Sequence, residues 1–223
     1  MAAHIPMPTK EQDALLTLAQ WFSPSYPLGS FAYSHGLEWA VETGDVSDIA
    51  KLKDWLEAIL NHGSGRNDAI FLACAARAAS MQEVLDIDEL ARAMAPSSER
   101  LQETVLQGSA FSQTTGAIWQ TDVAELTLPV AVGWAAQKCD LPLGLVLEFY
   151  LHAFVSNLVS VAVRLVPLGQ TEGQACLTEL KPLIRKTAAF ALQASLDDLG
   201  SSAVLVDIAS MKHETQYTRL FRS

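Results

Sequence analysis

The sequence predicts an all-α protein, a single-domain helical bundle of about eight to ten helices around a buried central helix. Apolar residues recur at helical spacing along most of the chain, and no segment alternates apolar and polar residues long enough to predict a strand. Half of the residues are apolar and only 18% are charged, a composition typical of a compact protein and not of a disordered one.

The predicted central helix lies in residues 142–170, PLGLVLEFYLHAFVSNLVSVAVRLVPLGQ. Between Pro142 and Pro167 this stretch carries only two formal charges, on Glu148 and Arg164. A helix that is apolar on every side is buried in a core or spans a membrane. Polar residues spread along the stretch, and the absence of Lys/Arg-rich flanks, favour the core of a soluble domain.

The earlier helices are predicted from capping residues and helix breakers. Thr9 and Gln12 form a predicted capping box for a first helix, which should end before Pro24. Ser47 is the predicted cap of an amphipathic helix that Gly63 ends. After a short glycine-containing loop, the remaining predicted helices cover residues 68–80, 86–95, 99–120, 128–139 and 174–198, with Pro182 as a candidate break in the last.

Residues 197–202, DDLGSS, are predicted to be a linker. We therefore expect an all-helical domain over residues 1–200 and a partner-binding tail over residues 201–223. The tail mixes aromatic residues with arginines, which is the composition of an interface that orders on binding. The alternative is a tail that docks on its own domain.

Composition excludes several classes of function. The net charge of −10 argues against nucleic-acid binding, which relies on basic surface. Cys74, Cys139 and Cys176 are isolated from one another, which favours a reducing cytoplasm over a secreted disulfide framework. Residues 1–13 lack a basic region followed by an apolar one, so we predict no signal peptide. A cytoplasmic protein without a membrane partner is expected.

No catalytic motif stands out. The five histidines never occur at HxH, HxxxH or HExxH spacing. Ser34 and His35 are adjacent, which does not suit nucleophile activation, and there is no GxSxG elbow. Residues 63–66, GSGR, lack the GK[ST] ending of a phosphate-binding loop. We predict no catalytic residue, no metal ligand and no cofactor, although a metal site assembled in space or across a dimer axis stays open.

Three stretches then become informative because of what they resemble. SPSYPLGSFAYSHGLEWAVETG, NLVSVAVRLVPLGQTEGQ and DIASMKHETQYTRLFRS are similar to the signature stretches of the urease accessory protein UreF family. The similarity covers nearly the whole chain in the expected order, and HETQYTRLFRS is its most specific part.

The resemblance implies a function that the residues alone do not indicate. Proteins of this family are not enzymes but dimeric cytoplasmic scaffolds for nickel insertion into urease. They bind the accessory protein UreD, called UreH in some organisms, and recruit the GTPase UreG and apo-urease. The resemblance also implies that the chain modulates GTP hydrolysis by UreG. In the family the tail becomes ordered on binding UreD, and the loop near the N-terminal motif rearranges with it.

Matching the motifs residue by residue gives the expected site. The partner-binding residues are Gly29, Ser30, Phe31, Tyr33, Ser210, Met211, His213, Tyr217 and Arg219. The family's dimer face matches the central helix and nominates Glu148 and His152, although His152 is equally explained as a core histidine. Two rival functions stay open: a metal-dependent enzyme with a site at a dimer interface, and a GTPase-activating protein with Arg66 or Arg222 as an arginine finger.

Overall fold

The computed structural model describes residues 10–223, which form ten α-helices and two 3-10 helices, with no strand in this range. The all-α prediction is confirmed. Thr9, and with it half of the predicted capping box, lies outside the described residues. The short 3-10 helices are Ser30–Ala32 and Leu196–Asp198. The α-helices are α1 Lys10–Trp21, α2 Leu37–Glu42, α3 Ile49–His62, α4 Ser64–Arg77, α5 Met81–Ala93, α6 Ser98–Trp119, α7 Leu128–Lys138, α8 Leu143–Leu165, α9 Gln170–Ala191 and α10 Val204–His213.

The core is centred on α4, α7 and α8. Helix α7 is buried along most of its length, and Gly133 lets it lie against the main chain of α4. Helix α8 contributes a long buried face made of Val146, Leu147, Tyr150, Leu151, Val155, Leu158, Val159, Val161 and Ala162. Its other face borders a groove. In the described range, α8 is the one helix long and apolar enough to cross a membrane, and half of its apolar window is buried.

The boundaries of α3 and α4 differ from the sequence prediction. Asp48, and not Ser47, caps α3, because the Asp48 carboxylate accepts the Lys51 N–H at 3.0 Å. Gly63 both ends α3 and begins α4, so the predicted loop after Gly63 is absent from the described chain. A Cβ at Gly63 would lie 3.0 Å from the Ala203 Cβ, so this sharp corner also brings the start of α10 close.

Helix α9 is longer than predicted at its start and continuous through its proline. It begins at Gln170 because the Glu172 carboxylate accepts the Gly169 N–H at 2.7 Å. Pro182 lies on the exposed face, while Leu180 and Ile184 on either side are buried. Packing on both sides of Pro182 offsets the loss of one helical hydrogen bond.

Candidate functional site: the tail and its carboxylate contacts

The tail, residues 201–223, begins with α10, which lies directly on the start of α2. Gly36 has φ 75°, and a Cβ there would lie 2.5 Å from the Ser210 nitrogen. Only glycine therefore satisfies both the left-handed conformation and the close approach. The Ser210 hydroxyl lies 2.6 Å from that of Ser97, the N-cap of α6. Helix α10 is thus fixed against both α2 and α6.

Glu38, in the first turn of α2, binds the main chain of the tail. Its side chain is buried, and its two oxygens accept the N–H groups of Leu220 at 2.7 Å and Phe221 at 2.9 Å. The same carboxylate lies 3.3 Å from His213 Nε2. Hydrogen bonds to an ionised acceptor are stronger than neutral ones, so this single carboxylate ties α10 to the last residues of the chain.

Glu99, in the first turn of α6, binds tail side chains. One oxygen lies 2.7 Å from His213 Nδ1, and the other accepts a hydrogen bond from the Arg219 guanidinium. His213 is completely buried, so both ring nitrogens face carboxylates out of contact with solvent. A negative charge at the N-terminus of α6 is also favoured by the helix dipole.

Glu103, one turn further along α6, is the centre of a buried charge cluster. It forms an ion pair with Arg100 at 2.7 Å and a hydrogen bond with His35 Nε2 at 2.8 Å. The Ser223 hydroxyl donates to it at 2.6 Å. Burial alone would raise the pKa of Glu103, but Arg100 and His35 outweigh burial and lower that pKa to about 2. Burial and the nearby Arg100 charge lower the pKa of His35.

The last residues of the chain also pair with the N-terminal motif. Arg222 donates its main-chain N–H to the Ala32 carbonyl at 2.8 Å, and Ser34 donates its own to the Ser223 carbonyl at 2.7 Å. The Arg164 guanidinium of α8 stacks over the Phe221 ring at 4.6 Å. The tail therefore contacts α2, α6, α8 and the loop before α2.

The predicted partner-binding residues come from two distant parts of the sequence that the fold brings together, and they divide by exposure. The buried ones are Tyr33, Ser210 and His213, and the well exposed ones are Phe31, Met211 and Tyr217. Gly29 has φ 70° and precedes the 3-10 helix that carries Ser30 and Phe31. Arg219 is exposed and paired with Glu99. The partner-binding role of these residues stays a prediction.

Helix α10 presents an unpartnered apolar face. We call it the apolar strip, made of Val204, Leu205, Ile208 and Met211, which are 60%, 70%, 44% and 51% exposed. Their spacing places them on one side of the helix, opposite the buried Val206 and Ala209. Tyr217 and Leu220 add further exposed apolar surface beyond the helix. Clustered exposed apolar side chains of this kind mark interaction sites in soluble proteins.

One of the two predicted dimer residues, His152, lines a different feature, the groove along α8. This groove has a volume of about 530 Å³ and is lined by Phe22, Phe31, Phe149, His152, Asn157 and Val163, among others. His152 is half-buried there, and burial lowers its pKa. Glu148 lies one turn earlier, 4.0 Å from Arg185 of α9. His152 is therefore not a fully enclosed core histidine, and its role in a dimer stays a prediction.

Two observations bear on the rival functions. Arg66 lies inside α4, with its guanidinium 4.7 Å from the centre of the Phe190 ring, and not in a glycine-rich loop as the sequence suggested. Over residues 10–223, no group of three or more His, Cys, Asp or Glu side chains is placed to hold a metal ion.

The sequence interpretation missed the residues that hold the tail. Glu38, Glu99, Arg100 and Glu103 were not singled out, because charged residues in amphipathic helices usually face solvent. One signal was present: Glu38 stands in the otherwise apolar LEWAV of α2, although the sequence does not say what it contacts. The tail groups that the three glutamates bind are more than one hundred positions away in the sequence, which no local pattern reveals.

The buried cluster predicts acid destabilisation. The folded state holds the Glu103 pKa at about 2, against an ordinary value of 4.5, so its contribution is complete above pH 4.5 and is lost as the pH falls toward 2. The lowered pKa of His35 also makes the folded state less stable as the pH falls below 6.5, the ordinary value for histidine. The raised pKa of Asp68 has the opposite effect, because it makes the folded state more stable as the pH falls. From Glu103 alone we expect the free energy of unfolding to fall by about 2 kcal/mol between pH 5.5 and pH 3.

Urea unfolding at each pH, followed by circular dichroism, measures this change. In Glu103→Gln the corresponding part of the slope should be missing. Equal slopes for the two proteins would show that Glu103 titrates normally.

Comparison with known proteins identifies the relatives of this chain. The UreF family model matches residues 46–181. A protein of Ruegeria pomeroyi is 55% identical over 217 residues, covering 97% of this chain and all of the relative. One of Roseobacter denitrificans is 53% identical over 223 residues, covering all of both chains, and one of Rhodopseudomonas palustris is 47% identical over 230 residues, covering 98% and 97%. Each is called urease accessory protein UreF.

The family match covers more than half of the chain, and the relatives align over nearly all of it. The resemblance noted in the three sequence stretches is thereby confirmed. This chain belongs to the UreF family of urease accessory proteins.

Proposed function

We propose that the chain is a non-catalytic scaffold in urease maturation, which works in the cytoplasm and supports nickel insertion into urease. It binds UreD (UreH) and, through that complex, recruits and modulates the GTPase UreG and receives apo-urease. Family membership supports the urease accessory role. The observation that carries the binding role is the apolar strip of α10, exposed beside a tail that is held by buried carboxylates.

The exposure of the motif residues supports two different roles at this site. Phe31, Met211 and Tyr217 have exposed side chains that a partner can bury. Tyr33, Ser210 and His213 are buried and hold the two segments in place. We therefore assign direct contact with UreD to the exposed set and support of that surface to the buried set.

A second surface supports dimerisation. The groove along α8 exposes aromatic residues such as Phe149 beside the polar His152 and Asn157. A second copy of this chain would bury that face, with Glu148 and His152 near the two-fold axis. In an isologous dimer the same face of each copy meets the other, so one face serves both protomers.

Replacing Leu205 with aspartate tests the binding role. The residue is 70% exposed on the apolar strip, so the change should leave the helical circular dichroism intact. A charge in the centre of an interface should weaken the complex with UreD by at least about tenfold. Size-exclusion chromatography with light scattering measures complex formation.

The same method tests the proposed dimer, because it gives the mass of the free chain and of the His152→Ala variant.

Leu16→Asp is the matched control, because Leu16 is also 70% exposed but lies on α1. This control should bind UreD as the unmodified chain does. If Leu205→Asp binds UreD as well as the unmodified chain does, α10 is not the interface, and the apolar strip no longer supports the proposed binding role.

A further inference from the structure

We propose that Glu38 is the positioning residue that presents the tail to its partner. Its buried carboxylate holds the main chain at Leu220 and Phe221, so that Tyr217 and Leu220 are displayed on the surface. The inference rests on the proposed function, because it specifies how the UreD-binding surface is kept in shape.

The attachment of the tail beyond α10 is mainly polar. Tyr217 is fully exposed and Leu220 is 69% exposed, so neither packs into the domain. Phe221 is the buried apolar anchor in this part of the tail. The other attachments run to carboxylates on α2 and α6 and to the main chain at Ala32 and Ser34. Such an arrangement leaves the apolar side chains of the tail available to a partner.

Glu38 differs from the other carboxylates in what it binds. Glu99 and Glu103 contact tail side chains, those of His213, Arg219 and Ser223. Glu38 accepts two consecutive main-chain N–H groups, one on each oxygen. It therefore fixes the position of the chain itself at Leu220 and Phe221, whichever side chains are present.

The hydrogen bonds to Glu38 form only when the tail is docked on the domain. The carboxylate is buried in the first turn of α2, and its ion-pair partner in the described chain is His213, which is part of the tail. If the tail left, the carboxylate would lose its two amide donors and His213 together. Hydrogen bonds to a carboxylate are among the stronger ones in proteins, so the contact stabilises the docked arrangement. It also joins the N-terminal motif to the tail motif.

Amide hydrogen exchange in the Glu38→Gln variant tests whether Glu38 holds the main chain of the tail. The glutamine places an NH₂ group where one of the two N–H donors needs an acceptor. Exchange at Leu220 and Phe221 should therefore accelerate by at least about tenfold, since a hydrogen bond to a charged group is lost. Exchange within α7, in the core, should stay unchanged. Unchanged exchange at the two tail amides would overturn the inference, and so would a uniform increase throughout the protein, which indicates general destabilisation.

Glu42→Gln is the matched control. Glu42 lies one turn later on the same helix and accepts a hydrogen bond from the tail side chain of Gln216, with no main-chain contact to the tail. A glutamine can still accept that bond through its carbonyl oxygen. The two tail amides should therefore exchange as in the unmodified protein, and equal acceleration in both variants would overturn a specific role for Glu38.

A double-mutant cycle of UreD binding, with Glu38→Gln and Tyr217→Ala, tests whether Glu38 positions Tyr217 for the partner. Because Tyr217 is fully exposed, its removal should weaken UreD binding without affecting the fold. In the Glu38→Gln background the same change should cost less, since the tyrosine is no longer held in place. Additive effects would overturn the inference. If Leu205→Asp and Tyr217→Ala both bind UreD normally, the proposed function fails instead.

Discussion

Replacing Gly133 with alanine is expected to destabilise the fold by about 3 kcal/mol, although alanine is the better helix former. A Cβ at this position would lie 2.2 Å from the Leu72 carbonyl oxygen and 3.0 Å from the Ala75 Cβ. The Leu72 oxygen belongs to the main chain of α4 and cannot move without the helix. Helices α4 and α7 would have to separate, and both lie in the core.

Gly144→Ala is the control for this prediction, because it makes the same chemical change inside α8. There the added Cβ would meet only the Leu192 Cδ1, at an ordinary distance of 3.6 Å. This variant should gain up to about 1 kcal/mol from helix propensity. Urea unfolding followed by circular dichroism measures both variants. A Gly133→Ala protein as stable as Gly144→Ala would show that α4 and α7 separate without cost.

The sequence predicts the helices and the central position of α8 well. Periodic apolar residues predict the helices, and the apolar stretch of residues 142–170, with only two charges, predicts that α8 belongs to the core. Small residues in α6 predict close approach to a neighbour, and at Gly108 an added Cβ would lie 2.0 Å from the Leu126 oxygen. The neighbour there is a loop and not a helix, because spacing alone does not identify the partner.

The candidate site was predictable only in part. Similarity of the motifs nominated His213 and Phe31, but it gave no sign that one is fully buried and the other 70% exposed. Glu38 and Glu103 are held in part by a segment at the far end of the chain, so their roles could not be predicted from their neighbours in sequence. Burial of a charge depends on tertiary contacts, so no local sequence pattern reports it.

The buried ion pair leads to the second large effect: Glu103→Gln should cost about 3–5 kcal/mol of stability. The change removes the carboxylate that pairs directly with the buried Arg100 guanidinium, and weakens the contacts to His35 and Ser223. Desolvation of an unpaired charge, and not the net strength of the pair, accounts for most of this cost. Thermal and urea unfolding measure it, and Glu89→Gln, a change of an exposed residue on α5, should lie within about 0.5 kcal/mol of the unmodified protein.

A double variant separates these two contributions. Arg100→Met combined with Glu103→Leu removes both charges and fills much of the same space. If the single variant is unstable because Arg100 is left uncompensated, the double variant should recover at least half of the lost stability, as buried ion pairs replaced by apolar residues often do. A double variant less stable than Glu103→Gln would instead show that the contacts to His35 and Ser223 dominate. In that case the cluster stabilises the protein mainly by joining the tail and the N-terminal motif to α6.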